Sequence, residues 1–191
     1  MKYLIVLFNL VLLTACNNTA EYTPKPSGYN RIEFPVKKYQ PFSNSSPFSF
    51  DFPLYAKMYP DSTSRLKPNW YNLTFPQFNA RLHISYYTIK SKQEFDMLME
   101  DSRKLAFKHT VKATSIDEGV INIPEKKVYG IFYTIEGNTA SAAQFYLTDS
   151  SKHYLRGALY FNEAPKIDSI APIINFIRID LDKMIKTFKW R

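Results

Sequence analysis

Cysteine, glycine and histidine are scarce in this sequence, and each shortage excludes a class of protein. The 191 residues include one cysteine, five glycines and three histidines. A single cysteine excludes an internal disulfide framework and any metal site built from a cysteine cluster. Five glycines fit poorly with a glycine-rich nucleotide-binding fold. The histidines are His83, His109 and His153, far apart in the sequence, so no metal site is expected.

The strings that mark well-known catalytic sites are also missing. The sequence contains no G-x-S-x-G elbow, no H-E-x-x-H pair, no P-loop and no G-x-G-x-x-G. Acidic residues are scattered, and nothing in their spacing indicates a glycosidase pair. We therefore expect no catalytic residue, no cofactor and no small-molecule substrate.

Aromatic residues and positive charge are abundant. Phe, Trp and Tyr make up 16% of the chain and hydrophobic residues 45%, which is typical of a folded domain rich in strands. Lys and Arg number 25 against 17 Asp and Glu, giving a net charge of +8. Such a surplus suits nucleic acid or an anionic lipid surface.

The N-terminus has the pattern of a lipoprotein signal. One Lys precedes the ten-residue run LIVLFNLVLL, which fits a signal peptide and is shorter than the roughly 20 residues that span a membrane. The run ends in LTAC at 13–16, which resembles the bacterial lipobox. We predict a signal peptide over 1–15 and lipidation of Cys16. The alternative is an ordinary signal peptide that ends near a buried cysteine.

Export and acylation would anchor the chain to a membrane with its domain outside the cytoplasm. Several acyl chains together give stable anchoring, because each buried CH₂ contributes about 0.8 kcal/mol. DNA and RNA are then not expected as partners, despite the net charge of +8.

The composition divides the mature chain into a tether and one domain. Nine of the 12 prolines lie between Pro24 and Pro76, and residues 16–47 show little periodicity. We interpret 16–47 as a Pro-rich tether behind the lipidated Cys16, part of which packs through its aromatic residues. Residues 48–191 are predicted to form a single globular domain.

The hydrophobic periodicity of residues 48–191 predicts an α+β fold. Helical spacing occurs over 92–108, behind a capping box that begins at Ser91, and again from a start between Ser169 and Pro172. Gly157 indicates a bulge or the close approach of another backbone. We expect an antiparallel sheet of about six to seven strands with two main helices packed on it, by analogy a Mog1/PsbP-like sandwich. Strands are predicted over 48–52, 54–59, 70–75, 80–89, 112–122, 127–136, 140–148 and 153–161.

The densest polar cluster lies between the last two predicted strands. It includes Asp149, Lys152, His153 and Arg156. One interpretation is a plain hairpin tip, in which Asp149 caps its own turn and Arg156 faces solvent. The other is a rigid polar loop that presents these four side chains to a partner.

Several strings resemble the gliding-motility lipoprotein family GldD of the Bacteroidota. They include EYTPKPSGY at 21–29, FDFP at 50–53, KHTVKA at 108–113 and, within the longest match at 140–161, QFYLTDS and RGALYF. The resemblance covers the mature chain and implies a cell-envelope lipoprotein needed for gliding, with a link to type 9 secretion. It implies no catalytic residue.

Two further expectations rest on the phylum that this resemblance implies. The tether has no acidic run after Cys16 of the kind linked to surface export, which favours the outer membrane with the domain facing the periplasm. Asp61-Ser62-Thr63 and Asp168-Ser169-Ile170 resemble the O-glycosylation motif of that phylum, so Ser62 and Ser169 are candidate acceptors. Ser169 equally suits a helix cap.

Two function hypotheses follow. The first is a non-enzymatic accessory lipoprotein that binds other proteins of the gliding and secretion machinery. The alternative is a periplasmic module that binds, or acts on, glycan or lipid. A glycan binder requires a cleft with clustered Trp or Tyr, whereas a protein binder requires an exposed apolar patch.

The lipobox leads to a direct prediction. Cys16→Ala should abolish palmitate incorporation, because the acylated sulfur is removed, and the protein should leave the membrane fraction or keep its signal uncut. Metabolic labelling and fractionation measure both. A variant that is processed and stays on the membrane like the parent would contradict the lipobox.

Overall fold

The computed structural model describes residues 31–62, 68–162 and 167–191. The predicted signal peptide, Cys16 and the tether up to residue 30 lie outside these ranges. The helices are α1, Lys92–Phe107, and α2, Ile167–Thr187. The strands are β1 Tyr39–Phe42, β2 Phe48–Pro53, β3 Lys57–Pro60, β4 Tyr71–Phe75, β5 Ala80–Thr88, β6 Ala113–Ile123, β7 Val128–Gly137, β8 Ser141–Thr148, β9 His153–Phe161 and β10 Lys189–Trp190.

Seven of these strands form one antiparallel sheet in the order β3-β4-β5-β9-β8-β7-β6. Strands β6 to β9 are a meander, because each connection between them is too short for a parallel crossover. The turns after β4 and β6 start at Pro76 and Pro124 and end in the left-handed residues Asn79 and Lys127. The predicted antiparallel sheet of about seven strands is confirmed.

Helix α1 covers one face of this sheet. Ser91 Oγ accepts a hydrogen bond from the Glu94 N–H at 3.1 Å, as the predicted capping box requires. The Glu94 carboxylate accepts from the Lys90 N–H at 2.8 Å. The apolar side of α1 packs on tyrosine and isoleucine side chains of β7, β8 and β9. They are Ile131, Tyr133, Ile135, Tyr146 and Tyr154.

Helix α2 and a second sheet cover the opposite face. The second sheet is three-stranded, in the order β1-β2-β10, and antiparallel. Phe48 of β2 and Phe188, which follows α2, are both fully buried with ring centroids 6.0 Å apart. Phe48 also contacts Tyr86 of β5, which joins the second sheet to the main one. The α+β architecture with two main helices is thus confirmed, and helices lie on both faces.

Four elements differ from the prediction. Strands β1 and β10 were not predicted, because four and two residues are too few to show a period. Strand β3 begins at Lys57, within the candidate 54–59, after a turn at residues 54–56. Helix α2 begins at Ile167, so Pro172 lies inside its second turn and not in the first.

The prediction that Gly157 marks a bulge or the close approach of another backbone was wrong. Strand β9 pairs regularly with both neighbours at this residue, without a bulge. The close neighbour is a side chain: a Cβ at Gly157 would lie 2.3 Å from the Phe145 ring. Phe145 is buried and stacks on Phe132 at 6.0 Å, so it has no free space to move into.

Gly157→Ala should therefore destabilise the domain by about 1–3 kcal/mol, the usual cost of overpacking a core. Denaturant unfolding measures it. Gly119→Ala is the matched control, because its Cβ would meet only the Phe132 carbonyl oxygen, at 3.7 Å in ordinary contact. Equal stability of both variants would show that the Phe145 ring does not require Gly157.

Candidate functional site

The predicted hairpin tip is held together mainly by Asp149. Its Oδ1 accepts from the N–H groups of Ser151, Lys152 and His153 at 3.0, 2.8 and 2.8 Å. Burial acts to raise the pKa of Asp149, but these donors lower it below its usual value. Asp149 thus stabilises its own turn, as the plain interpretation of the tip expects.

His153 does not point outward from the tip. Its side chain is 6% exposed, and its Nδ1 lies 2.7 Å from the Tyr86 hydroxyl. Its ring stacks on Trp190 of β10 at 5.2 Å. Lys152 is exposed. Of the four predicted contact residues, Lys152 is therefore the one that the tip presents freely.

Arg156 lies in the middle of β9, away from the tip. It pairs with Ser85 of β5 on one side and with Tyr146 of β8 on the other. Its Nη2 donates to Gln144 Oε1 at 2.5 Å. The interpretation of Arg156 as part of a solvent-facing tip does not match this position, because the strand carries it onto the sheet.

Arg156 belongs to a polar area on the sheet face that also carries α1. The strand register aligns Asn72, His83, Ala158 and Gln144 across β4, β5, β9 and β8, and Ser85 beside Arg156 in the next row. We name this surface the polar ledge. It comprises Asn72, His83, Ser85, Gln144 and Arg156.

The polar ledge has unused hydrogen-bonding capacity. Asn72 Oδ1, Gln144 Nε2 and Arg156 Nε are buried and have no hydrogen-bond partner among the residues that the structure describes. The Gln144 side chain is only 1% exposed. Buried polar atoms are satisfied in most proteins, so such a group of atoms indicates a water or a ligand.

The ledge carries the guanidinium of Arg156. Within the described part of the chain, no carboxylate lies within ion-pair distance of Arg156. Burial lowers the pKa of His83, and the charges of Arg81 and Arg156 lower it further, against Asp61. Burial and Arg156 likewise lower the pKa of His109, which follows α1. Both imidazoles are thus kept neutral around a charged guanidinium.

An aromatic pocket adjoins the ledge. Trp70 and Tyr87 pack edge to face, with ring centroids 5.6 Å apart, and the Trp70 Nε1–H donates to the Tyr86 carbonyl at 2.9 Å. Tyr87 is two residues from Ser85 on the same side of β5. The pocket has a volume of about 300 Å³ and is also lined by Asn69, Thr88, Lys90 and Glu94.

Only partial signals for these residues are present in the sequence. Gln144 is a polar residue in β8, which is buried along its whole length, and such a position is unusual without a ligand or network. Asn72 and Trp70 could not be placed beside it without the strand register. From the sequence, His83 was only one of three widely separated histidines, and the structure places it in the ledge.

A second polar cluster ties the chain ahead of β1 to α2. The Asp180 carboxylate, 1% exposed, accepts from Tyr39 Oη at 3.0 Å, from Tyr55 Oη and from Lys37 Nζ at 2.7 Å. Lys37 Nζ also donates to the Phe176 carbonyl at 2.7 Å. We name Lys37, Tyr39, Tyr55 and Asp180 the anchor cluster.

Burial dominates the electrostatics of the anchor cluster. It lowers the pKa of Lys37, although Asp180 acts in the opposite direction. Burial, and then Asp180, raises the pKa of Tyr39 to about 12 and raises that of Tyr55 as well. No pattern in the sequence indicated this cluster. The one hint in the sequence is Asp180, a charged residue among the apolar residues of α2.

The candidate glycosylation sites are accessible where they are described. Ser62 is exposed in a turn, and Thr63 of its motif lies outside the described residues. Ser169 is exposed in the first turn of α2, inside the helix rather than at its N-cap. Cys16 also lies outside. Modification of these three residues stays a prediction.

The described residues contain neither a cluster of metal ligands nor a membrane-spanning helix. No three His, Cys, Asp or Glu side chains lie close enough to hold a metal ion within 31–62, 68–162 and 167–191. Neither helix in those ranges combines the length and apolar character required to cross a bilayer.

The burial of His153 predicts a pH dependence. Burial lowers its pKa, despite Asp149, so below about pH 6.5 the unfolded chain takes up the proton first. The free energy of unfolding should therefore fall as the pH falls from 7 to 5, and less steeply in His153→Gln. Urea unfolding at several pH values measures this. Parallel profiles would show that His153 is not the cause.

Among the comparisons with known proteins, the family match agrees with the sequence resemblance. A search of curated proteins found no match. Among solved structures, the chain resembles the solution structure of cyanobacterial PsbP (CyanoP) from Synechocystis, with 10% identity, a TM-score of 0.48, and coverage of 88% of this chain and 99% of that one. The family described as gliding motility lipoprotein GldD matches residues 19–190. The chain therefore belongs to the GldD family of gliding motility lipoproteins.

Proposed function

We propose that this lipoprotein is a non-enzymatic accessory of the gliding and type 9 secretion machinery, and that its domain binds other envelope proteins of that machinery. Membership of a lipoprotein family implies a membrane-anchored envelope protein. In this proposal Cys16 carries the anchor, the membrane is the outer one, and the domain faces the periplasm.

One observation carries the proposal: an exposed apolar patch beside the anchor cluster. Its members are Phe34, Val36, Leu54 and Ile179, with exposed fractions of 40, 75, 54 and 56%. Soluble domains rarely gather large apolar side chains on their surface unless they bind something there.

Contacts place these four residues on neighbouring segments. The Phe34 ring stacks on Phe176 of α2 at 4.5 Å, and Ile179 lies three positions further on the same helix. The Leu54 N–H donates to the Lys38 carbonyl at 2.9 Å, which places Leu54 beside the segment that carries Val36. The patch thus spans α2, the turn after β2 and the chain before β1.

Contacts of Lys37 with α2 hold the segment that carries Phe34 and Val36 in place. Lys37 lies between Phe34 and β1, and its Nζ is 3.3 Å from the centroid of the Phe176 ring and bonded to Asp180. A surface fixed in this way loses little conformational entropy when a partner covers it, which favours binding. The hairpin tip, with Lys152 exposed, is a second possible contact and stays a proposal.

The double variant Leu54→Asp with Ile179→Asp should abolish partner co-purification from native membranes and stop colony spreading. Burying a carboxylate in an apolar interface is unfavourable, and losing a central contact costs about 2 kcal/mol, which is roughly 30-fold in affinity. Co-eluting proteins and colony diameter are the measurements.

Val111→Asp with Val120→Asp is the matched control. These valines are 93 and 82% exposed; Val111 lies in the turn before β6, and Val120 lies in β6, an edge strand of the main sheet. The control should spread normally at unchanged abundance. If the Leu54/Ile179 variant melts like the parent and also spreads with an unchanged set of partners, the patch is not the binding surface.

A further inference from the structure

We infer that the free edge of β6 binds an extended, basic segment of another protein, which adds to the seven-stranded main sheet as a further strand. Strand β6 ends the order of that sheet in the described part of the chain, with β7 on its inner side. The edge is separate from the apolar patch. The inference therefore goes beyond the contact proposed above and does not depend on it.

The outer edge of β6 is open over most of its length. The strand has 11 residues, and from Ser115 to Ile123 it pairs with β7 without a shift in register, so this part is regular. Residues 117–120 are all exposed, Val120 by 82%, and no described residue forms a further strand beside them. In a regular edge strand, every second residue directs its N–H and C=O away from the sheet, where another backbone can pair with them.

The opposite edge of the same sheet is protected in a way that β6 is not. Strand β3 has four residues, begins at Lys57 and ends at Pro60. Short length, lysine and proline all discourage an edge strand from pairing with another chain. Strand β6 contains neither proline nor lysine, and its one irregularity, between Ala113 and Ser115, lies at its start. A long, regular edge of this kind can take up an extended peptide by strand addition.

Two carboxylates determine which strand fits this edge. Asp117 and Glu118 are the charged residues of β6, so the strand is acidic in a chain with a net charge of +8. Because successive side chains of a strand alternate, one carboxylate lies on each face of the sheet. A strand with Lys or Arg opposite them gains two cross-strand ion pairs, whereas an acidic strand is repelled. The Val120→Asp substitution of the control variant adds to this negative charge and keeps the backbone edge, so it does not remove the site.

Both carboxylates are available to a partner. Asp117 is exposed and accepts from Ser115 Oγ at 3.2 Å, and no cation of the described ranges lies within ion-pair distance of it. Glu118 Oε1 lies 3.7 Å from Arg103 Nε, and these side chains are 36 and 56% exposed. An exposed ion pair of this kind contributes little to stability, so a closer cation can replace Arg103.

A second copy of this chain fits the edge less well than a basic segment does. Pairing β6 with itself would bring two carboxylates from each copy into one pair of strands. Like charges opposite each other destabilise a strand pair. The two domains would also each bring a surplus of positive charge. A basic segment of a different protein meets the carboxylates with opposite charge.

Hydrogen exchange of the full chain, solubilised in detergent and followed by mass spectrometry, tests the site. The probe is the capped peptide TTVVTKKVT, whose lysines lie opposite Asp117 and Glu118 when it pairs antiparallel with residues 115–123. The matched peptides are TTVVTEEVT, which reverses the charge, and TTVPPKKVT, which lacks two adjacent backbone donors. We expect the first peptide to slow exchange within β6, because the outward N–H groups become hydrogen-bonded.

The three peptides separate backbone pairing from charge. The basic peptide should bind at least about tenfold more tightly than the acidic one, and the proline peptide should give no protection of β6. No protection by the basic peptide at millimolar concentration, protection confined to other strands, or equal binding of the acidic peptide would overturn the inference. Sedimentation of the chain alone should show a monomer, and a dimer with β6 already protected would mean that a second copy occupies the edge instead.

Variants identify the residues that select the peptide. Asp117→Lys with Glu118→Lys should reverse the preference, so that the acidic peptide binds about tenfold more tightly than the basic one. Asp96→Lys with Asp101→Lys makes the same change of charge at exposed positions of α1 and should keep the preference of the parent. If the reversal does not occur, or occurs equally in the control, the two carboxylates do not select the partner and the inference fails.

A milder variant covers the case in which the lysine variant does not fold. Asp117→Asn with Glu118→Gln keeps the shape of both side chains and removes both charges. It should bind the basic and acidic peptides equally, while the basic peptide still slows exchange in β6. If this variant retains the tenfold preference of the parent, the inference is wrong.

Discussion

The arrangement of the whole domain depends on one buried charge, the carboxylate of Asp180. A carboxylate that is 1% exposed is tolerated only when donors surround it. The sequence supplies Lys37, Tyr39 and Tyr55, two of them from the segment before β2. Satisfying Asp180 therefore holds this segment against α2, where β1 can pair with β2 and the second sheet can close over the main one.

The two faces of the main sheet carry different kinds of side chain. The face toward α2 is filled with large apolar side chains, and there Phe145 requires glycine opposite it. On the face toward α1, apolar packing ends beside the helix and the polar ledge begins. The strands that carry the ledge are internal to the sheet. A chain selected for stability alone would place apolar residues there.

The sequence was sufficient for local structure and insufficient for what depends on strand register. Period-two and helical patterns located β5, β9 and α1 closely, because those elements are long and amphipathic. Arg156 was assigned to a solvent-facing tip, since its distance along the chain from Asp149 is short. Its actual neighbours, Ser85 and Gln144, lie on other strands. The role of Asp180 could not be predicted either, because its donors are more than 100 positions away along the chain.

The pairing of β1 determines how the domain would respond to traction from its N-terminal side. Tension in the chain would first meet the Gln77–Glu33 hydrogen bond and the Phe34–Phe176 ring contact, and then the Lys37–Asp180 ion pair. Only after these would it reach β1, whose partner β2 runs antiparallel, with Tyr39 opposite Pro53 and Phe42 opposite Phe50. If the pull acts along β1, those bonds are loaded in shear and share the stress, whereas a pull across the strand would open them one at a time. For a protein of a motility family, the direction of pull thus becomes a mechanical property of this short strand.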